Sequence, residues 1–507
     1  MEKKIDALFQ LWQDHPGAGG QVLVTKGGKV IFEKCYGYAN IETQTPMTQD
    51  SIFHVASVTK QFTAMGILML HEQGKLSVYD DVRKYVPELV RFSEPVTVKQ
   101  LLNHVSGLRE YYELFFLNGR TNEDYYRQKE ALEIVARQDK LNFAPGSKFL
   151  YTNANYAFLA TIIERVSGMS YGEFLKKNIF DPLGMEHSFV RDNARMLVPN
   201  KVSSYHDDGY EYTNAILTFG LYGGTGLHTT CKELQKFLRQ YLEPTLISRQ
   251  TMEDIMFDIP EIGGKKGNYG AGVRVETWEG HRIIHHGGVN AGYRTVGLVM
   301  PEEDLIITAF TNTYNIPIET AARRIARVVL GMPMAKPKNL DAYRTENTDL
   351  TGIDGIYYCD KNQDNFTIAV KDGKVYLDGV MLTHQGGNLY KQGRRNISLA
   401  VGEPMMLQQE LQIMTLRKLD QNVPDPASYA GDYYCEDTQG HFSVVCKQDG
   451  LWLSHLRHGF IKLNWLEGDR FFHGTYELTF RRNAEGEVTG YFVNSPHLMD
   501  IPFKKEK

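Results

Sequence analysis

Ser57-Val58-Thr59-Lys60 is the only S-x-x-K in the chain, and it sets a primary amine three residues after a hydroxyl. The apolar residues that follow, Phe62, Met65, Leu68, Met69 and Leu70, recur near helical spacing until Gly74 closes the run. On a helix, positions i and i+3 share a face, so Lys60 is expected beside the Ser57 hydroxyl. In packed surroundings desolvation disfavours the ammonium and frees the amine for proton transfer. The helix N-terminus adds positive potential where an oxyanion would develop. The chemistry expected is nucleophilic attack by serine. A solvated helix face carries the same four letters just as well, so the motif needs company.

Two further elements supply it. Tyr-x-Asn occurs three times, at Tyr38-Ala39-Asn40, Tyr151-Thr152-Asn153 and Tyr212-Thr213-Asn214. Only Tyr151 follows a Pro-Gly turn, Pro145-Gly146, that would present it at a loop-to-helix junction; Tyr38 reads as a strand residue and Tyr212 lies in a polar stretch. A strand bearing a basic residue and then a glycine, which lets a substrate lie along the strand edge, is expected at His286-Gly287-Gly288. His286 keeps the spacing to both Gly288 and Gly292-Tyr293 better than the alternative register from His285. His15-Pro16-Gly17 and His384-Gln385-Gly386 share the pattern but read as loops.

Elements of two kinds must position these residues. Gln21 to Val24 and Val30 to Phe32 read as a hairpin around Lys26-Gly27-Gly28-Lys29. Helical patterns occupy Val98–Leu102, Asn153–Val166 and Lys232–Tyr241, and strand-like runs return at Ala271–Glu276, His281–His285 and Val296–Val299. Strands at both ends of a helical middle predict an α+β domain, an antiparallel sheet flanked by helices. After Leu330 a proline-containing polar segment, Pro333 to Asp349, reads as a linker. Beyond it the pattern is almost wholly β and repeats. Gly355-Ile356-Tyr357-Tyr358-Cys359-Asp360 is echoed by Gly431-Asp432-Tyr433-Tyr434-Cys435-Glu436, and Phe366 by Phe442, at an offset of 76; Asp372-Gly373 and Asp449-Gly450 follow at 77. Two copies of one small antiparallel β-barrel are expected. The predicted division is a catalytic domain over 1–335, a linker over 336–349, a lipocalin-like barrel over 350–421 and a second barrel over 422–507.

Composition narrows the function classes. With 507 residues, 42% hydrophobic and 23% charged, the chain is that of a globular protein with several domains. The 56 basic and 61 acidic residues leave a net charge of −5 with no long same-sign run, which argues against nucleic acid or an anionic membrane as partner. No apolar core of a leader follows Met1, and no run nears the roughly 20 apolar residues of a membrane span. A cytoplasmic protein is the expectation. Five scattered cysteines, without C-x-x-C or zinc-like spacing, are expected to be free thiols, and neither a metal nor an organic cofactor is expected.

Taken together these segments carry a resemblance. Phe53 to Ala64, with Ser57 and Lys60 inside it, looks like the nucleophile helix of the class C β-lactamase and D-aminopeptidase family. Leu101-Leu102-Asn103-His104-Val105-Ser106-Gly107-Leu108 resembles that family's L-L-x-H-x-S-G-L landmark. Pro145-Gly146 with Tyr151-x-Asn153, then Asp181-Pro182-Leu183-Gly184-Met185 and Gly223-Gly224, occur in family order, and the resemblance runs from about Val22 to Val329. It implies that Ser57 attacks a carbonyl while Tyr151 and Lys60 carry its proton to the leaving group. The backbone N–H groups of Ser57 and Val289 would form the oxyanion hole, Asn153 would hold the substrate amide or order Lys60, and His286 and Gly288 would line the substrate.

One departure bears on substrate. Class C β-lactamases and many D,D-peptidases carry lysine in the third motif, a fixed cation suited to a carboxylate. His286 is a poorer carboxylate anchor at neutral pH. The resemblance to D-aminopeptidases extends to the two C-terminal barrels, and in that group a loop of the last barrel restricts the active site; Gly459 and its neighbours are the candidates here. The leading expectation is a serine hydrolase acting through an acyl-enzyme on small peptides or amides, with a D-stereospecific aminopeptidase as its finer form. A carboxylesterase, a weak β-lactamase or D,D-peptidase, and a covalent ligand sensor are the alternatives. The partner expected is a small molecule or short peptide, and a homodimer is left open.

Overall fold

In the computed structural model, all residues are described except 122, 335–338, 347–348, 410–411, 449 and 507. Parts of the expected linker and Asp449 of the internal repeat therefore lie outside the described residues. The chain divides into two units. The first comprises Met1–Tyr112, Asn122–His206 and Thr213–Met334, and the second Glu113–Thr121, Asp207–Tyr212 and Ala335–Lys507.

The first unit opens with the expected hairpin, β1 (Gly20–Lys26) and β2 (Lys29–Tyr36). A short strand, β3 (Phe53–His54), leads through a single turn of 3-10 helix at Ala56–Val58 into α1 (Thr59–Glu72). Next come α2 (Asn153–Ser167), β4 (Phe189–Val190), β5 (Leu227–Thr229) and α3 (Cys231–Leu238). The unit closes with β6 (Arg274–Trp278), β7 (His281–Asn290), β8 (Tyr293–Met300), β9 (Leu305–Thr311) and α4 (Ile318–Val329). Two sequence boundaries shift. The strand expected at Ala271–Glu276 starts at Arg274, and the one expected at His281–His285 runs five residues further.

An antiparallel sheet of order β6-β7-β8-β9-β1-β2 forms the centre of this unit. One face, carrying Val22, Val24, Val296, Leu298, Ile307 and Ala309, packs on Ala322, Ile325 and Ala326 of α4 and on Ile5, Phe9 and Trp12 near the N-terminus. The opposite face meets the helices. Gly297 of β8 lies so close to α3 that a Cβ there would stand 2.8 Å from Leu238. α1 is buried from Thr59 to Leu68 on all sides, as a central helix must be. Phe62 stacks on Phe237 of α3 at 3.9 Å between ring centroids, and Gly66 admits Ile163 of α2 and Phe174 against the α1 backbone. A second, three-stranded sheet of order β3-β5-β4 holds the approach to Ser57.

The second unit contains two closed eight-stranded antiparallel barrels, running from Gly355 to Lys418 and from Gly431 to Lys505. The internal repeat is structural. Tyr357 pairs with Phe366 and Tyr433 with Phe442 in the same register, and the barrels close through Tyr357↔Lys418 and Tyr433↔Lys505. Each tyrosine also donates its hydroxyl to the carbonyl four residues back, Tyr357 to Ile353 at 2.9 Å and Tyr433 to Tyr429 at 2.6 Å. Two segments from earlier in the chain belong to this unit. Phe116 stacks on Tyr476 at 4.6 Å and Asn118 donates to the Thr438 carbonyl at 2.7 Å, while Arg394 forms a 2.8 Å ion pair with the buried Asp207. Among the described residues no helix is long and apolar enough to cross a membrane, and all five cysteines are free of disulfides.

Candidate active site

The turn that delivers Ser57 is held from three sides. Val55 donates its N–H to Leu227 O of β5 at 3.0 Å, and its own carbonyl accepts from Thr295 Oγ1 of β8 at 2.9 Å. Thr59 Oγ1 donates to Ala56 O at 2.6 Å. Between these anchors Ala56 adopts φ +47°, a left-handed conformation costly for alanine, which persists because its surroundings enforce it. The result lifts Ser57 to the partly exposed end of α1, with Lys60 one turn inside.

Lys60 is fully buried, at 0% exposure. Its Nζ donates to Ser57 Oγ at 3.2 Å, to Asn153 Oδ1 at 2.7 Å and to Gly224 O at 2.7 Å, which uses all the hydrogens of an ammonium. Desolvation brings its pKa from 10.5 to about 7, against the opposing pull of the Glu110 charge. The Nζ also stands 4.7 Å from the Tyr151 ring centroid. Burial pushes the Tyr151 phenol well above its usual value, and its hydrogen bond with Ser57 partly offsets that. The phenol is thus protonated at rest and joined to Ser57, while the amine titrates near neutral pH.

Tyr151 and Asn153 are set by the landmark segment, whose job becomes visible here. His104 Nδ1 faces Thr152 N at 3.3 Å and Asn155 Nδ2 at 3.1 Å, and Ser106 Oγ donates to Asn155 Oδ1 at 2.6 Å. Gly107, at φ +81°, lies where a Cβ would come within 2.3 Å of Phe143 O. The buried Glu110 carboxylate accepts from the Asn153 N–H at 2.6 Å, from Asn153 Nδ2 at 3.3 Å and from Thr152 Oγ1 at 3.1 Å. Asn153 is therefore oriented with Nδ2 on Glu110 and Oδ1 on Lys60. Nothing in the sequence singled out Glu110, because an isolated carboxylate two residues past a motif carries no spacing signal. Tyr269 belongs to no spacing pattern either.

β7 brings the third element alongside. Its neighbour β6 ends with the pair Arg274↔His285, so His286 to Asn290 pair only with β8, and Val289 is 61% exposed. Strand alternation separates the two histidines. His285 turns to Glu276 at 3.1 Å, on the side of Arg323 of α4, and His286 turns to Tyr269 and Tyr151. The expected register is the one that reaches the site. His286 Nδ1 lies 2.6 Å from Gly287 O and Nε2 lies 2.9 Å from the Tyr269 hydroxyl. A carbonyl only accepts, so Nδ1 carries the proton and Nε2 accepts from Tyr269. Burial, with Lys60 nearby, holds the ring well below its usual pKa, so it is neutral rather than a switch. Both nitrogens are thereby engaged within the protein. At Gly288 the structure supplies a reason for glycine other than room for substrate: a Cβ would sit 2.3 Å from both Val55 O and Thr295 Oγ1. The other Tyr-x-Asn segments lie elsewhere. Tyr38 pairs in a small hairpin with Pro46, and Tyr212 lies in the second unit beneath the Arg394 guanidinium.

The family described as Beta-lactamase matches residues 5–330. A penicillin-binding protein of Bacillus subtilis is 31% identical over 310 residues, covering 58% of this chain and 68% of that protein. A D-aminopeptidase of Gluconobacter oxydans is 28% identical over 323 residues, covering 63% of this chain. The chain spans 60% of that D-aminopeptidase's length, short of two thirds. Among solved structures, the octameric penicillin-binding protein homologue from Pyrococcus abyssi superposes with a TM-score of 0.60 at 26% identity, covering 82% of this chain and 99% of that one.

Proposed function

The chain belongs to the beta-lactamase family, and from that premise we propose that it is a serine hydrolase that cleaves small peptides or amides through an acyl-enzyme. The observation that carries this reading is the fully buried Lys60, hydrogen-bonded to Ser57 and brought to a pKa of about 7. Ser57 Oγ attacks the substrate carbonyl carbon and its proton passes to Lys60, directly or through the Tyr151 hydroxyl. The carbonyl oxygen takes the negative charge and is met by the N–H groups of Ser57 and Val289, each such donor typically worth about 3–4 kcal/mol. As the carbon–nitrogen bond breaks, the leaving amine takes the proton relayed by Tyr151. Water then attacks the ester and returns the hydroxyl to Ser57.

Asn153 acts in this scheme by holding Lys60, and His286 by holding Tyr269 behind Tyr151. A neutral, internally bonded His286 gives a substrate carboxylate no cation, which favours substrates recognised away from a free carboxyl end. A D-stereospecific aminopeptidase is the finer reading, supported by the D-aminopeptidase relatives. Residues 1–335 would form the catalytic domain, 336–349 the linker, and 350–421 and 422–507 the two barrel domains.

Intact-mass measurement after exposure to D-amino acid amides, p-nitrophenyl esters and a penicillin tests the proposal. A transient acyl adduct on the wild type that is absent from Ser57→Ala is expected. Equal labelling of Ser57→Ala would overturn it.

A further inference from the structure

A cleft of about 800 Å3 in the first unit is lined by Arg127, Arg191, Arg195 and Lys201, with Glu123 the one carboxylate among its lining residues. Several arginines elsewhere are paired with acids, among them Arg83 with Asp81, Arg165 with Glu88, Arg282 with Glu253, and Arg482 with Asp469. Among the described residues, none of the four cleft cations forms such a pair. Arg191 donates from Nη2 to Ala194 O, while its buried Nε has no partner among the described residues. Desolvation pulls Arg191 below its ordinary range, and desolvation with the neighbouring Arg191 charge does the same to Lys201. Four cations thus line one hollow against a single carboxylate, Arg191 and Lys201 repel each other there, and an anion inside it would relieve that repulsion.

We propose that this cleft binds a small polyanion, a molecule carrying phosphate groups or clustered carboxylates. The guanidinium fork matches both groups in bidentate geometry, and three arginines converging with a lysine supply more positive charge than a single carboxylate needs. The site is also tied to the catalytic turn. Arg191 directly follows β4 and donates its N–H to Gly226 O at 2.9 Å, beside β5. Lys201 forms a bridge with Ile52, the residue before β3, and β3 runs through Val55 and Ala56 into Ser57. An occupant would thus bear on the three-stranded sheet that holds the nucleophile without touching Ser57.

Calorimetric titration of the full chain with pyrophosphate and with citrate, against sodium chloride at matched ionic strength, tests the site. Saturable one-to-one binding of at least one of them is expected. It should weaken at least tenfold in Arg191→Gln/Arg195→Gln and persist in Ser57→Ala, whose failure to label bears only on the hydrolase reading. Lys201→Gln, which keeps the backbone bridge to Ile52, gives a second variant, and it should weaken binding as well. No saturable heat above chloride, or unchanged binding in a folded Lys201→Gln together with the double variant, would overturn the proposal.

Discussion

At the scale of single residues, the proposed chemistry turns on where one proton rests. Lys60 loses its charge near pH 7 because burial removes its water, and three acceptors and a nearby carboxylate only partly compensate. The neutral amine is the form that accepts a proton, so kcat/KM on a neutral amide or ester should rise with pH to a plateau, with an apparent pKa of about 7. Glu110 raises the Lys60 pKa through its charge. In Glu110→Gln that support for the ammonium is gone, so the rising limb should move to lower pH while the plateau falls from loss of order at Asn153. A steady-state pH profile of both proteins checks this, and an unmoved midpoint in Glu110→Gln would refute the charge coupling. Ser57, Lys60, Tyr151 and Asn153 could be picked out in the sequence because their spacings are local. Glu110 and Tyr269 could not, since they meet the site only after the chain has folded back.

At the scale of elements, the turn that carries Ser57 is held by packing against strands. β7 passes close beside Val55 and Ala56, and Gly288 makes that approach feasible. In Gly288→Ala the added methyl would collide with a backbone carbonyl held by Thr295, and overpacking of this kind typically costs about 1–3 kcal/mol. Thermal melting should show a lowered midpoint, and the Ser57 acylation rate should fall further than stability alone accounts for. A variant with a lowered midpoint but a wild-type acylation rate would show that the turn does not rely on this contact. Helical and strand periodicity located the elements well: Val98–Leu102 matches its helix, and the first hairpin, α1 and α2 begin within a residue or two of expectation. Periodicity carried β7 only to His285 and the His286-Gly287-Gly288 pattern carried it to Gly288, while its last two residues, Val289 and Asn290, were not legible. It continues there through pairing with β8, a partner that local propensity does not include.

At the scale of the whole molecule, the residues gathered around Ser57 and Lys60, namely Glu110, Tyr151, Asn153, Gly224 and His286, lie within the segments of the first unit. A chain ending at Met334 is therefore expected to keep Ser57-dependent labelling. It should melt lower and scatter more light, because Phe116 and Leu117 lose the barrel residues, such as Tyr476, that cover them in the second unit. A folded fragment that fails to label would place an essential part of the site beyond Met334. By itself the sequence determined the Ser57-x-x-Lys60 and Tyr151-x-Asn153 pairs, the α+β class and the duplicated barrels, because each is written in short-range spacing, periodicity or repetition. Tertiary structure alone decided the state of Lys60, the neutral and internally bonded His286, the role of Glu110 and the two segments drawn into the second unit. Burial and charge proximity set those properties, and they arise from contacts between residues far apart in the chain.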